Sequence, residues 1–209
     1  GDVSRFEWPI SEGRREAFRT HFARPDQILI TYCGRLDLEK GIDTLINAFS
    51  VMRPSVPNAR LAIVGRGALE PMIREHIAKL GMDESVRLFG YLEGKVLEQY
   101  YRSSDIHVCP SHYEPFGLVA AEAMAAGAAV VASATGGLVD IVSSSEVGRT
   151  FPARDVGSLA EILKELCLDS SRRKSIAEAG RRHVAANFAW PVLAEEAIRI
   201  YAEAAAVPA

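Results

Sequence analysis

Short continuous apolar runs recur along the chain, and most are followed by a stretch whose apolar positions repeat every three or four residues. The runs are Ile28–Cys33 (ILITYC), Leu61–Val64, Val86–Phe89, Ile106–Cys109 and Ala129–Ala132. Runs of this length and character predict strands buried on both faces. The stretches between them predict helices. The first has an apolar face of Leu45, Ile46, Phe49 and Met52, with Asp43 as its cap, and ends ahead of Pro54 and Pro57. The second places Met72, Ile73, Ile77 and Leu80 on one face and closes at Gly81. A third passes through Leu97 and Tyr100, and a fourth, rich in alanine, runs from about Gly117 to Ala126 and stops before Gly127.

Gly148 to Phe151 offers a further edge strand, and from Asp155 onward the pattern is helical throughout. Leu159, Ile162, Leu163 and Leu166 face inward in one helix, Ile176 and Val184 in the next, and Val192, Ile198 and Tyr201 in the last. Strand and helix in alternation specify an α/β domain with a doubly wound parallel sheet rather than a sandwich or a bundle. A closed barrel needs eight such units, and there are too few. Three segments result: 1–27, a linker with a short helix over Ser11 to Phe22; 28–187, the α/β domain; and 188–209, a terminal helix ending in an alanine-rich tail.

Composition narrows the class. The 209 residues are 48% apolar and 24% charged, with no apolar run of bilayer-spanning length. The formal net charge of −3 comes without a basic arm, which removes the general case for nucleic acid. Cys33, Cys109 and Cys167 stand at wide, unrelated spacings that match neither a metal site nor a disulfide framework, so they read as reduced and buried. The opening GDVSRFEWP has no signal-peptide character and reads as an excision point within a longer chain.

Candidate chemistry concentrates in Asp105 to Asp140, DIHVCPSHYEPFGLVAAEAMAAGAAVVASATGGLVD. Ligands of open α/β sheets sit outside the carboxyl ends of the strands. Glu114 lies in the loop before the alanine-rich helix and Glu122 inside it, with Pro115 and Gly117 shaping the turn between. The amides of Phe116, Gly117 and Leu118 are the open donors at that helix start, an anion site. After the first strand, Gly34, Arg35 and Lys40 present two cations that either converge on one ligand or are simply solvated. Gly65-Arg66-Gly67 lacks the third glycine and the acidic partner of a dinucleotide fingerprint, which disfavours a nicotinamide cofactor and leaves close backbone approach as the glycines' purpose. Glu122, among small residues, is either a rim carboxylate or a hydroxyl acceptor. His112 and Tyr113 either touch a ligand or are solvated. His107 reads as packed or solvent-facing rather than catalytic, and His21, His76 and His183 have no metal-ligand partners.

Taken together, GRLDLEKG at 34–41, AIVGRG at 62–67, VRLFGYL at 86–92, DIHVCPSHYEPFGLVAAEAMAAG at 105–127 and ATGGLVDIV at 134–142 resemble, in order, the C-terminal half of retaining glycosyltransferases with two Rossmann-like domains, the GT-B type of family 4. The resemblance extends from GDVSRF to FAWPVLAEEAIRIY at 188–201 and rests above all on Glu114 and Glu122, seven positions lying between them. One departure is Asp140, near where the family often has glutamate.

The resemblance implies a Rossmann-like nucleotide-sugar-binding domain whose last segment crosses toward a missing N-terminal, acceptor-binding half. It implies Arg35, Lys40 and Glu114 as the catalytic set: the two cations on the donor diphosphate, the glutamate beside the transferred sugar. Donor contacts are implied at Gly34, Gly65 and Gly67, at Phe89, Gly90 and Tyr91 for the base, at Phe116, Gly117, Leu118 and Val119 for sugar and phosphate, and at Glu122 for the ribose hydroxyls. No metal or cofactor is expected beyond the substrate, a UDP- or GDP-linked hexose transferred to a hydroxyl with retention. The isolated domain is expected to bind donor without catalysing transfer. A cytoplasmic protein is expected, with any membrane association, at the inner face, coming through the missing half. Two other readings stand beside this one: a non-enzymatic nucleotide-binding scaffold, and half of a sugar-nucleotide epimerase.

Overall fold

A computed structural model describes residues 18–188. Six strands form one wholly parallel sheet: β1 (Ile28–Cys33), β2 (Ala59–Val64), β3 (Val86–Leu88), β4 (Ile106–Cys109), β5 (Ala129–Ser133) and β6 (Arg149–Phe151). Their order across the sheet is β3-β2-β1-β4-β5-β6. This is the doubly wound arrangement, and its direction of winding reverses between β1 and β4. Registration differs on the two sides of β1. Against β2 it is matched along its whole length, from Ile28 with Ala59 to Cys33 with Val64. Against β4 only Ile30 with Ile106 and Thr31 with His107 are paired. The two strands part beyond that point, so their carboxyl ends frame a crevice.

Helices cover both faces: α1 (Ile42–Met52), α2 (Glu70–Lys79), α3 (Gly94–Ser103), α4 (Leu118–Ala125), the single turn α5 (Leu138–Ile141), α6 (Val156–Leu168) and α7 (Ser170–Asn187). The alternating apolar runs thus become the expected sheet, with β2 beginning two residues earlier and β3 ending one residue sooner than the runs suggest. In α6 Leu159, Leu163 and Leu166 are buried and Ile162 partly so, and in α7 Ile176 and Val184 are buried. Asp155 and Asp169 cap these two helices, accepting from the amides of Ser158 and Arg172 at 2.9 and 2.8 Å. The terminal helix expected through Val192, Ile198 and Tyr201, and most of the one expected over Ser11 to Phe22, lie outside the described residues.

Two expectations are corrected. Asp43 does not cap α1: the capping position is Gly41, in the left-handed region at φ 60°, and no side chain caps the helix. A Cβ at Gly41 would stand 2.0 Å from the Pro110 carbonyl oxygen, so this close crossing of two loops, rather than capping chemistry, determines where α1 begins. Met72 is not in the core of α2 but 57% exposed, because only Ile73 and Ile77, one turn apart, reach the sheet.

His107 is the packed histidine expected, in the middle of β4 and fully buried. Its Nδ1 lies 2.7 Å from Thr31 Oγ1, which is itself 2.7 Å from Ser104 Oγ. Burial pushes the imidazole down to about 3, so the ring is neutral. Near the amino ends of β1 and β4, Arg19 donates to Asp105 at 2.8 Å, to the Ser103 carbonyl at 3.1 Å and to the Gln27 carbonyl. Asp105 also accepts from the Leu29 amide at 2.8 Å. Among the described residues no helix is long and apolar enough to cross a membrane.

Candidate functional site

The loops leaving the carboxyl ends of the strands are stitched together by backbone contacts. The Gly65 amide donates to the Gly90 carbonyl at 2.8 Å, the Gly34 amide to Val64 at 3.0 Å, and the Leu36 amide to Arg66 at 2.9 Å. Approach this close explains the glycines after β2: a Cβ on Gly65 would meet the Gly34 carbonyl oxygen at 1.8 Å, and one on Gly67 the Leu36 carbonyl oxygen at 2.4 Å. Across the crevice, the amides of His112 and Tyr113 donate to the Glu39 carbonyl at 2.7 and 3.4 Å, tying the loop after β4 to the one after β1. The Gly137 amide donates to the Glu114 carbonyl at 2.9 Å. Five loops therefore form a single rigid edge.

That edge brings the two charged loops into contact at the switch point. Lys40 Nζ and Glu114 Oε2 are 2.7 Å apart, with 18% and 17% of their side chains exposed. Seventy-four positions separate them in the sequence, and only the crossing of the loops makes them a pair. Lys40 ends a 3-10 turn, Leu38–Lys40, that swings it back over the crevice. Among the described residues Glu114 is the one hydrogen-bond partner of the Lys40 ammonium, which carries three donors. Ser111 Oγ reaches the same carboxylate oxygen at 3.5 Å. The pair is therefore charge-balanced but has donor and acceptor capacity to spare.

Arg35 does not converge on Lys40 in this state. Its guanidinium is mostly exposed and pairs with Asp37 at 2.6 Å. Its carbonyl accepts from Tyr32 Oη at 2.7 Å, which anchors the backbone of the loop. Each cation of GRLDLEKG thus holds a carboxylate, and Asp37 is a partner that sequence reasoning had not picked out.

α4 begins at Gly117, at φ 69°, and no side chain caps it, so its first-turn amides point out of the edge unclaimed by a cap. Phe116 stands beside them 74% exposed, and Leu118 and Tyr113 are also exposed. Val119 is partly buried. Glu122, one turn further on, is 8% exposed, which removes the rim alternative. It lies near Tyr101, whose phenol is pushed well up by burial first and by the neighbouring Cys33 and Glu122 charges after it. Phe89, Gly90 and Tyr91 follow β3 on the same edge, Phe89 partly buried and Tyr91 exposed. Gly34, Gly65, Gly67, Phe89, Gly90, Tyr91, Phe116 and Gly117 thus stand in the loops of the carboxyl edge, whereas Leu118, Val119 and Glu122 lie within α4. His112 contributes mainly through its backbone, with its Nε2 3.3 Å from Thr44 Oγ1. Among the described residues no group of three or more His, Cys, Asp or Glu side chains is placed to hold a metal ion.

Comparison with known proteins gives the family and the fold. Residues 13–183 match the family model described as glycosyl transferases group 1. An uncharacterized glycosyltransferase of Methanocaldococcus jannaschii is 34% identical over 176 residues, covering 84% of this chain and 45% of the relative. The crystal structure of the C-terminal domain of LpcC, a glycosyl transferase group 1 family protein of Francisella tularensis, superposes with a TM-score of 0.82 at 25% identity, covering 91% of this chain and 99% of that domain. Anabaena HepE, solved in complex with UDP, has the same fold, with a TM-score of 0.87 at 21% identity over 97% of this chain and 56% of its own. The chain spans about half the length of the curated relatives it matches. Its parallel sheet is that of one half of a GT-B glycosyltransferase.

Proposed function

The chain belongs to the glycosyl transferases group 1 family, and from that premise we propose that it is the donor-binding, C-terminal half of a retaining glycosyltransferase that transfers a hexose from a nucleoside diphosphate sugar to a hydroxyl acceptor. The observation that carries the reading is the Lys40–Glu114 pair at the sheet's switch point, flanked by the uncapped start of α4. A diphosphate placed there takes the unused donors of Lys40, the Arg35 fork and the amides at Phe116 to Val119, while Glu114 turns its free oxygen to the sugar hydroxyls. The glycine-lined loops after β2 and β3 receive the base, and Glu122 the ribose. That HepE was solved with UDP, and in another crystal with UDP-glucose, supports a uridine donor.

In the reaction, the bond between the anomeric carbon and the diphosphate oxygen breaks as the acceptor oxygen bonds to the same face of the sugar. The acceptor's proton passes to the departing phosphate oxygen. Arg35 and Lys40 stabilise the charge that grows on that phosphate, and their contacts strengthen as the bond lengthens. Glu114 stays with the hydroxyls and with Lys40. The acceptor wall belongs to the other half of the polypeptide, so this half binds donor without turning it over. Its free cysteines fit a reducing, cytoplasmic compartment, with any membrane contact made through that other half.

Titration calorimetry of the 209-residue chain with UDP, GDP and ADP tests the binding: saturable heat with at least one is expected, and none with any, in a folded sample, would overturn the reading. For the full-length enzyme and an α-linked donor, a β-linked product would overturn retention.

A further inference from the structure

Among the donor-binding loops, the one after β3 has the least support from the sheet. β3 is an edge strand of three residues, hydrogen-bonded to β2 alone, and the chain turns away at Gly90. What holds it from the other side is the segment before β1. Phe18, 7% exposed, packs its ring 5.0 Å from Phe89 and edge-on 5.2 Å from Tyr100. Phe22 stands edge-on to Phe89 at 5.7 Å. The Arg87 guanidinium lies 5.3 Å over Phe22 and 5.9 Å over Phe89 and donates to the His21 carbonyl at 3.0 Å. Phe89 is therefore wedged between the sheet and a segment about seventy positions earlier, immediately before the exposed Tyr91.

We propose that Phe18 to Ala23 is a positioning strap for the nucleoside end of the site: by seating Phe89 it sets where Gly90 and Tyr91 stand, and so tunes affinity for the base independently of the diphosphate. The inference rests on the reading above that residues 89–91 face the base. It adds that the segment of residues 18–23 is coupled to one part of the donor site and not to the other. The Lys40–Glu114 crossing owes nothing to these rings, since it is held by the Glu39 carbonyl and the Gly41–Pro110 contact.

The test is calorimetry on the 209-residue chain with two probes, UDP and inorganic diphosphate, for the parent, Phe22→Ala, Phe22→Tyr and Arg87→Ala. Phe22 is partly buried and Arg87 exposed, so these variants keep the fold where Phe18→Ala would not. Phe22→Ala is expected to weaken UDP about three- to tenfold, the worth of an aromatic contact, and to leave diphosphate unchanged. Arg87→Ala should do the same to a smaller degree, and Phe22→Tyr should restore UDP affinity. In amide NMR spectra without ligand, Gly90 and Tyr91 are expected to shift in Phe22→Ala while Gly41 and Gly117 stay in place. Equal loss of both probes, or unchanged UDP affinity, would overturn the strap. A parent chain that takes diphosphate but no nucleotide would instead overturn the nucleotide reading, and unmoved Gly90 and Tyr91 signals would then dispose of the strap as well.

Discussion

Both ends of the β1–β4 pair are bridged by a cation and a carboxylate, and the two bridges do different things. At the amino end Arg19 meets Asp105 at 2.8 Å; at the carboxyl end Lys40 meets Glu114 at 2.7 Å. Exposure is similar, 15% and 25% against 18% and 17%. Satisfaction is not. Arg19 spreads its donors over Asp105 and two carbonyls, and the same carboxylate oxygen takes the Leu29 amide. Those contacts fasten the segment of residues 18–23 to the sheet. Among the described residues Lys40 has one acceptor for three donors, whereas each carboxylate is engaged through one oxygen, so the difference lies with the cation. Distance and burial therefore do not separate a structural pair from one poised for a ligand; the unused hydrogen-bonding capacity does.

The sharpest way to break this contrast is stability. Asp105→Ala strands the Arg19 charge and the Leu29 amide, and is expected to cost about 3–5 kcal/mol in urea denaturation. Glu114→Ala should cost less than about 1 kcal/mol, because Lys40 can turn into the crevice and be hydrated. Equal losses would mean that both bridges are structural. Ligand binding should reverse the ranking. Lys40→Ala is expected to weaken inorganic diphosphate by about 1.5–3 kcal/mol, the range for a charge-assisted contact, while Arg19→Lys leaves the diphosphate affinity as it was. Calorimetry on the two variants decides it.

Between the two bridges lies His107, and acid probes whether the strands beneath them act as a common platform. Its folded pKa, about 3, is below the unfolded value, so the unfolded chain takes up the proton first. Stability must therefore fall as pH drops below about 6.5, and the loss levels off only below about 3. From pH 7 to pH 5 the histidine alone is worth about 2 kcal/mol of lost stability. His107→Phe should remove that slope, while the difference between Asp105→Ala and Glu114→Ala stays constant over the same range. A slope unchanged in His107→Phe would assign the acid sensitivity to other groups.

What was legible beforehand follows the same division. β1 and β4 fall where their apolar runs stand, because strands buried on both faces carry nearly continuous apolar side chains, and their buried polar members Thr31 and His107 are paired with each other. The glycines after β2 were readable as points of close approach, although their counterparts, Gly34 and Leu36, were not. Contacts made by two loops crossing were invisible: the Lys40–Glu114 pair, Asp37 under Arg35, and Gly41 displacing Asp43 as the start of α1 all depend on where the chain returns. Met72 misled for a related reason, since helical periodicity identifies an apolar face but not how much of it the sheet reaches.

The smallest effect expected is at Glu122, and it sharpens the contrast within the carboxyl end itself. Unlike Glu114, this carboxyl is buried, in an alanine-rich helix beside Tyr101. If it also accepts from the ribose, Glu122→Gln keeps the shape of the side chain but exchanges one acceptor oxygen for a donor, so one hydroxyl contact is lost and the diphosphate contacts at Lys40 are untouched. The preference for a ribose over a 2′,3′-dideoxyribose nucleotide should then shrink by about 1 kcal/mol, roughly five- to tenfold in relative affinity, with the dideoxy ligand itself bound as before. Competition calorimetry with the two uridine diphosphates measures the ratio directly. Equal weakening of both ligands would show that Glu122 acts through the packing of α4 against Tyr101, and it would move the ribose contact elsewhere on the edge.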